Sequence, residues 1–251
     1  MTSLRTPGAG AKARTGTKAV SVTVALSGQT VRALTDADFK LSAFHGVSCA
    51  EGGGAALVWA QTATFTSPSI ALMWNEDYSA YGSTLTPPSA SSSAVIVGTD
   101  TVPAAFGQAF DVGPHAVLTP DSPGYPGVIA LQNTTSTPFT SGISLPAPIG
   151  TPAVAPICAF PLYGNNSVYI GPSPNVLLMF ATPPFAVGTP VRRPYGPTVA
   201  VDISISGAVN LRYDINAGWS GDSPFVPVDS PEQFVSLLIV AENARRAGIR
   251  G

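Results

Sequence analysis

The scarcity of charged residues constrains the fold of this chain more than any other feature. Only 12 Lys or Arg and 14 Asp or Glu occur among its 251 residues, which is 10% of the chain, whereas soluble domains carry about 25%. Exposed helix faces need Glu, Lys, Arg and Gln, so the composition argues against a helical bundle. A hydrophobic content of 45% argues against a disordered chain. An all-β body is the remaining expectation.

The basic residues are confined to the two ends of the chain. Residues 41–191 contain no Lys or Arg and carry a net charge of −6, whereas residues 1–40 carry +4 and residues 192–251 carry zero. The net charge of −2 gives a chain of this size little self-repulsion. Such a surface favours association over a monomeric state.

The first 18 residues predict a flexible basic arm. Small and polar residues surround Arg5, Lys12, Arg14 and Lys18, and this segment holds too little apolar surface to offset the entropy of ordering. A mobile polycation on a neutral or acidic body suits sequence-independent binding to phosphate backbones. We therefore take these four residues as candidate nucleic-acid contacts. The alternative is that these residues form a disordered solubilising tail or are left over from cloning.

Short apolar runs separated by Pro-, Gly- and Ser-rich segments predict many β-strands. Val20, Val22, Val24 and Leu26 alternate with small residues, which indicates a half-buried strand. Further strand candidates are residues 39–44, 56–65, 69–74, 94–98, 116–118, 128–131, 154–160, 167–170 and 175–181. This spacing with turn-forming loops is typical of a sandwich or barrel.

Residues 199–213 carry the longest alternating pattern. Eight odd positions from Val199 to Tyr213 are apolar or aromatic except for Gly207. A single strand of this length would run about 50 Å, so we expect Gly207 to mark a bulge or bend.

One helix is predicted, near the C-terminus over residues 231–247. Ser230 is a suitable N-cap, Pro231 suits the first helical position, and Gln233 completes the cap signature. Phe234, Leu237, Leu238 and Ala241 follow helical spacing. Their Val and Ile content leaves a β-strand over residues 234–241 as the alternative.

The chain offers few residues for catalysis or cofactor binding. His45 and His115 stand in no zinc-binding pattern, and no phosphate-binding glycine motif occurs. Cys49 and Cys158 are expected to be buried thiols. We expect no enzyme activity and no cofactor. No apolar run predicts a membrane span or secretion signal, so we also expect no membrane association.

One motif resembles the active-site loop of chymotrypsin-like serine proteases. Residues 218–224 read GWSGDSP, and His45, Asp77 and Ser223 follow the order of that family's triad. However, Pro224 replaces the expected glycine, His45 lacks the family's sequence context, and few residues follow Ser223. A polar turn after the long strand is therefore the favoured interpretation.

Asp36 and Asp38 are weak candidates for a metal site. They would share one strand face if this region were extended, and paired carboxylates can bind Ca²⁺ between subunits. The favoured interpretation is that both are solvated loop acids.

Residues 173–180 read SPNVLLMF and are followed by the alternating residues 199–213, which contain ISGAVNL. This region is similar to the last two strands of tymovirus-like coat proteins, which belong to small icosahedral positive-strand RNA viruses. The resemblance implies a single jelly-roll β-sandwich of two antiparallel sheets. The expected domains are a basic arm (1–18), a shell domain (19–215) and a C-terminal extension (216–251). The arm and the extension depart from the short-tailed members of the family.

The resemblance implies a structural capsid protein that self-assembles into an icosahedral shell. The arm would face inward and bind genomic RNA. The protein would be made in the host cytoplasm and reside in the virion, with its receptor or vector unknown. The alternative from another class is a soluble β-sandwich binding module, for carbohydrate or in a phage tail or spike. In that alternative Trp59, Trp74 and Trp219 would stack on sugars, although Trp59 and Trp74 lie within strand patterns that favour core packing.

Overall fold

The computed structural model describes residues 19–50, 53–85, 94–149, 153–205 and 207–241. In this part of the chain, two α-helices are α1 (Gly28–Asp36) and α2 (Pro231–Leu238), and a 3-10 turn spans Pro114–Ala116. The strands are β1 (Ala19–Leu26), β2 (Lys40–Cys49), β3 (Ala55–Leu57), β4 (Ala60–Gln61), β5 (Ser69–Asn75), β6 (Ser79–Ser83), β7 (Asp100–Pro103), β8 (Gln108–Val112), β9 (Leu118–Pro123), β10 (Ile129–Asn133), β11 (Phe139–Pro146), β12 (Val154–Pro156), β13 (Cys158–Leu162), β14 (Ser167–Ala181), β15 (Pro190–Val191), β16 (Thr198–Asp202), β17 (Ala208–Asp214), β18 (Gly218–Gly221), β19 (Phe225–Pro227) and β20 (Ile239–Ala241). The predicted all-β class is confirmed.

The first sheet has four strands in the order β18-β17-β1-β5. Its inner face carries the alternating residues of β1, and Val20, Val22, Val24 and Leu26 are all buried. β1 pairs antiparallel with β5 and parallel with β17. The period-2 pattern therefore identified both the strand and its buried face.

The second sheet has nine strands and is centred on the long strand β14. Its main path is β19-β16-β14-β10-β8-β9, and β2 pairs with β14 as well as with β4 and β20. β14 runs continuously over both segments predicted as separate strands. Its register with β2 shifts between Pro172 and Val176, and Pro174 lies in this irregular segment. Proline has no N–H to donate to a neighbouring strand, and a bulge is a position where no such hydrogen bond is required.

The third sheet has seven strands in the order β15-β3-β13-β11-β6-β7, with β12 beside β11. Tyr81 of β6 donates its hydroxyl to the carbonyl of Cys158 at 2.7 Å, across β11. This contact is possible because Gly142 lies between them, where a Cβ would come within 2.7 Å of the Tyr81 ring. Close approach of this kind requires glycine.

The four-stranded and nine-stranded sheets face each other across the main core. The Tyr213 ring of β17 stacks on Phe180 of β14 with 4.3 Å between ring centroids. Trp74 of β5 packs against His45 of β2 with 6.1 Å between centroids. One hydrophobic cluster also includes residues of the seven-stranded sheet, such as Ile143 and Phe160. Burial of this shared apolar surface holds the three sheets together.

The strand predicted over residues 199–213 is two strands in different sheets. β16 ends at Asp202 in the nine-stranded sheet, and β17 begins at Ala208 in the four-stranded sheet. The expected irregularity at Gly207 is therefore a complete change of sheet. Asp202 promotes the break, because its carboxylate accepts a hydrogen bond from the Ser204 backbone N–H at 2.8 Å and starts a turn. The strand predicted over residues 94–98 does not form; Ile96 is buried, but Val97 is exposed.

The C-terminal helix begins as predicted and ends earlier than predicted. Ser230 caps α2, and its side chain accepts a hydrogen bond from the Gln233 N–H at 3.1 Å. The helix stops at Leu238, and β20 follows and pairs in parallel with β2. The prediction of a helix over residues 231–247 is therefore wrong for residues 239–241, because these residues pair with β2 as a strand. Residues 242–247 lie outside the described part of the chain.

Helix α1 is absent from the sequence-based expectations. Ser27 caps it by accepting a hydrogen bond from the Thr30 N–H at 3.0 Å, and Leu34 is buried against the core. The helix connects β1 to β2 and so carries the chain from the four-stranded sheet to the nine-stranded sheet. Three neighbouring strand pairs are parallel: β1 with β17, β10 with β8, and β2 with β20.

Candidate functional site

The four predicted nucleic-acid contacts, Arg5, Lys12, Arg14 and Lys18, lie outside the described residues. Their point of attachment is defined, because the described chain begins at Ala19. Ala19 is the first residue of β1 and pairs with Asn75 of β5. The basic segment therefore leaves the body at the end of the four-stranded sheet where β1 begins.

The described body has few basic side chains that could contact a phosphate group. Lys40 donates its ammonium to the Asp38 carboxylate at 2.7 Å and to the Ala63 carbonyl at 2.8 Å. The Arg193 guanidinium lies 4.8 Å from the centroid of the Tyr195 ring. Arg212 is exposed and 3.8 Å from Asp222. Lys40 lies on β2, Arg212 lies on β17 and Arg193 follows β15, so these three basic groups belong to different parts of the fold.

Asp36 and Asp38 do not share a strand face, so that part of the metal-site hypothesis is wrong. Asp36 is the last residue of α1, and Asp38 lies beyond the helix in a left-handed conformation with φ of 53°. The Asp38 carboxylate already binds Lys40. In the described ranges, no group of three or more His, Cys, Asp or Glu side chains could hold a metal ion. A Ca²⁺ site completed by neighbouring chains stays a prediction.

The residues of the protease-like motif do not form a hydrogen-bonded triad. Ser223 accepts a hydrogen bond from the Asn210 N–H at 3.2 Å in the turn after β18. The Nδ1 atom of His45 faces the Gly46 carbonyl at 2.9 Å, and Nε2 has no hydrogen-bond partner among the described residues. The His45 ring therefore does not connect Asp77 to Ser223, as general-base activation of the serine requires.

Two of the three tryptophan side chains lie in the interior, and the third is partly buried. Trp59 and Trp74 are buried, which agrees with the core role favoured by their strand patterns. Trp219 is half-buried, and its ring stacks on Phe180 with 5.2 Å between centroids. These rings present no open platform for sugar stacking. The expectation of buried thiols also holds, because Cys49 and Cys158 are both buried, and burial raises the pKa of Cys158 to about 12.

A buried cluster of three rings, His45, Trp59 and Trp74, is the main feature that the sequence did not predict. The Trp59 ring lies 5.4 Å from His45 and 5.0 Å from Trp74, with nearly perpendicular planes. The two indole N–H groups and His45 Nε2 are buried and have no hydrogen-bond partners in the described structure. Burial outweighs the Gly46 hydrogen bond and lowers the pKa of His45 to about 4, so the ring is neutral at pH 7.

A shallow surface pocket lies next to this cluster, beside the start of β1. It has a volume of about 400 Å³ and is lined by Ala19, Ser21, Met73, Trp74 and Pro146, among others, and none of the described lining residues is charged. A phosphate or a metal ion would find no ionic partner there.

Large apolar side chains are exposed on edge strands of all three sheets. Met73 on β5 is 65% exposed, Val154 on β12 is 53% exposed, and Val226 on β19 is 50% exposed. Among the described residues, each of these strands pairs with one neighbouring strand, and the outer edge of β5 also donates the Met73 N–H to the Pro148 carbonyl at 3.1 Å. Exposed apolar side chains on edge strands are suited to contacts with other chains. The body therefore offers contact surfaces in several directions.

Comparisons of the chain with protein-family models, with curated proteins and with solved structures found no match. In the described part of the chain, neither helix is long and apolar enough to cross a membrane.

Proposed function

We propose that this chain is a viral coat protein that self-assembles into a closed icosahedral shell and packages RNA. The observation that carries the proposal is the difference in charge and exposed apolar surface between the N-terminal segment and the body. A basic N-terminal segment leaves the body at one point, and the body has little charge and exposes apolar side chains on edge strands of three sheets. A shell subunit must contact neighbours on several sides, and its interface cores are depleted in charged residues.

The proposed shell domain is a β-sandwich of jelly-roll type. The facing four-stranded and nine-stranded sheets, with their shared core, support a sandwich. The parallel pairs β1–β17, β8–β10 and β2–β20 would be departures from the antiparallel pairing of a jelly roll. The segment from residue 216 onward would complete the same body, because β18, β19 and β20 pair with β17, β16 and β2.

Assembly would be driven by burial of the exposed apolar side chains between subunits. The basic segment would face the shell interior, where many copies act together. One segment makes at most about four phosphate contacts, which gives weak and salt-sensitive binding. Many segments held in one particle raise the effective concentration and so the avidity for RNA.

Electron microscopy of the purified full chain tests assembly. We expect closed particles, and we expect Met73→Glu, Val154→Glu and Val226→Glu each to lower their yield by placing a charge in an apolar contact. Asn210→Glu is the matched control, because it adds the same charge at an exposed position on the paired strand β17. A chain that stays monomeric under all assembly conditions would exclude the shell function.

Packaging is tested by deleting residues 1–18. We expect particles of the shortened chain to form but to contain less RNA, seen as a lower ratio of absorbance at 260 nm to that at 280 nm. An unchanged ratio would exclude the proposed role of the N-terminal segment. A small, non-assembling protein that binds sugars would instead favour the binding-module alternative.

A further inference from the structure

A row of apolar residues crosses the face of the nine-stranded sheet on which α2 packs. Phe44 of β2 lies opposite Leu177 of β14, Leu177 lies opposite Ala200 of β16, and Ala200 lies opposite Val226 of β19. Residues directly opposite each other on neighbouring strands share one face of the sheet. The first three are buried in one hydrophobic cluster, whereas Val226 is 50% exposed. The apolar face therefore continues to the edge of the sheet.

Helix α2 covers only the part of this row that lies on β2 and β14. The Phe234 ring packs edge-on against Phe44 with 5.2 Å between centroids. Val228 leads from β19 toward the helix, and its N–H donates to the Thr198 carbonyl at 3.0 Å. Val228 is buried in the same cluster. The helix thus stops short of the edge strand, and Val226 stays exposed beside it.

Tyr195 is a second exposed apolar group on this face. Its N–H donates to the Sδ atom of Met179 at 3.2 Å, and Met179 belongs to the buried cluster. Tyr195 is 44% exposed, and its ring centroid lies 5.2 Å from that of Phe185, which packs half-buried against the same cluster. Aromatic residues and Arg are enriched in the cores of protein–protein interfaces.

Charged groups of both signs border these apolar residues. The Arg193 guanidinium is exposed and lies 4.8 Å from the centroid of the Tyr195 ring. Asp229 directly follows Val228, and Glu232 lies in the first turn of α2; both are exposed. In the described part of the chain, none of these three charged groups forms an ion pair.

A surface with charges of both signs is complementary to a second copy of itself. In a two-fold contact, the basic group of each copy faces the acidic groups of the other, so every favourable pair occurs twice. Opposite charges around an apolar contact steer two chains together and fix their orientation. The apolar groups between the charges lose their contact with water when the two copies meet.

We propose that Val226, Tyr195, Arg193, Asp229 and Glu232 form a two-fold contact between two copies of this chain. Val226 and Tyr195 are buried in the contact, and Arg193 of each copy pairs with the acidic groups of the other. The inference identifies one subunit contact of the proposed shell, and its part in assembly rests on that function.

Analytical ultracentrifugation of the full chain in dilute solution tests the contact. We expect a dimer with twice the 25.5 kDa mass of one chain. Arg193→Glu should raise its dissociation constant at least about tenfold, because the reversed charge occurs twice in the contact. Arg212→Glu is the matched control, since it reverses the same charge at an exposed position on β17. The control should change the dissociation constant by less than about threefold.

Reversal of the facing charges should restore the dimer. The triple variant Arg193→Glu, Asp229→Lys and Glu232→Lys exchanges the signs across the contact, so its dissociation constant should return to within about threefold of that of the unmodified chain. Lysines at the start of α2 oppose the helix dipole. Val226→Glu leaves the helix unchanged and is therefore the second test; it should also raise the dissociation constant about tenfold. Circular dichroism checks that each variant keeps its fold.

Three results would overturn the inference. They are a dimer constant that Arg193→Glu and Arg212→Glu change equally, a dimer that neither Arg193→Glu nor Val226→Glu weakens, and an unmodified chain that stays monomeric. If the chain forms particles in a yield that Arg193→Glu does not lower, the shell function stands and this contact is excluded. If the dimer shows the expected changes and no particles form, the contact stands and the shell is excluded.

Discussion

Thr30 and Asp214 form a hydrogen bond across 184 positions of sequence, in which the Thr30 hydroxyl donates to Oδ2 of Asp214 at 3.1 Å. The same hydroxyl oxygen accepts hydrogen bonds from the Ser27 hydroxyl at 2.9 Å and from the Ile215 N–H at 3.3 Å. The first turn of α1 is thereby tied to the turn after β17. The N–H groups of Asn216 and Ala217, followed by the Thr30 hydroxyl, lower the pKa of Asp214.

Replacement of Thr30 by Val should destabilise the chain by about 1 kcal/mol, because the buried Thr30 hydroxyl loses its hydrogen bonds to the partly exposed Asp214 and Ile215. The side chain keeps its shape, so packing changes little. The control is Thr35→Val in the same helix, where the hydroxyl is exposed and bonds only to carbonyls; its effect should stay below about 0.5 kcal/mol. Urea unfolding of the unassembled chain measures both. Equal losses for the two variants would contradict a specific role of Thr30.

The buried His45 should make stability depend on pH between 6.5 and 4. Its pKa in the folded chain is about 4, below the ordinary 6.5, so the unfolded chain binds a proton first as the pH falls. The free energy of unfolding should decrease through this window by about 3 kcal/mol in total from this one group. Above pH 6.5 the histidine contributes no pH dependence.

His45→Phe isolates this contribution, because it keeps a planar ring in the cluster and removes the titrating group. At pH 7 the free energy of unfolding of the variant will differ from that of the unmodified chain, because the phenyl ring packs differently. The comparison therefore uses only the change in this free energy with pH. The difference in unfolding free energy between the two proteins should shift by about 2 kcal/mol in favour of the variant at pH 5. Parallel pH profiles would show that His45 does not titrate in this way.

Ser230 should be needed for helix α2. Ser230→Ala removes the acceptor for the Gln233 N–H and should cost about 1 kcal/mol. Ser236→Ala in the same helix is the matched control, because the Ser236 hydroxyl is exposed and donates only to the Gln233 carbonyl. Thermal unfolding followed by circular dichroism measures both. A larger loss for the control would mean that the cap does not hold the start of α2.

Gly142 should tolerate no side chain. A Cβ at this position would collide with the Cys158 carbonyl and the Tyr81 ring, so Gly142→Ala should cost at least about 1–3 kcal/mol through overpacking. Gly28→Ala is the control at the start of α1, where a Cβ has nothing within 4 Å. Alanine is a better helix former than glycine by about 1 kcal/mol, so the control should be neutral or stabilising. Loss of stability in both variants would contradict this steric account.

Several elements were predictable because their signals are local. The alternation in β1 identified its buried face, and the residues from Ser230 to Gln233 identified the start of α2. Helix α1 carries a comparable signal that the prediction missed: Ser27 and Thr30 stand at cap spacing, and Val31 and Leu34 follow three residues apart. Its short length and its Thr and Asp content weaken the helical pattern.

Other features depend on pairings that no local pattern contains. Residues 239–241 are compatible with a helix, yet they form β20 because the edge of β2 is available to them. Similarly, the alternation over residues 199–213 matches the burial of β17, whereas Val199, Ala200 and Val201 of β16 are all buried. The change of sheet at residues 203–207 depends on which strands lie beside β16 and β17.

The sequence alone determined the class of this protein and the location of its charges. The chain has too few charged residues for solvated helices, and it has many short apolar runs between turns. Both properties can be read from the composition and order of the residues without coordinates. Only the tertiary structure decided that the His45, Trp59 and Trp74 rings share one core and that residues 199–213 divide between two sheets. The reason is physical: strand direction and sheet pairing are set by contacts between residues far apart in the chain, and local patterns determine only which face of each strand is buried.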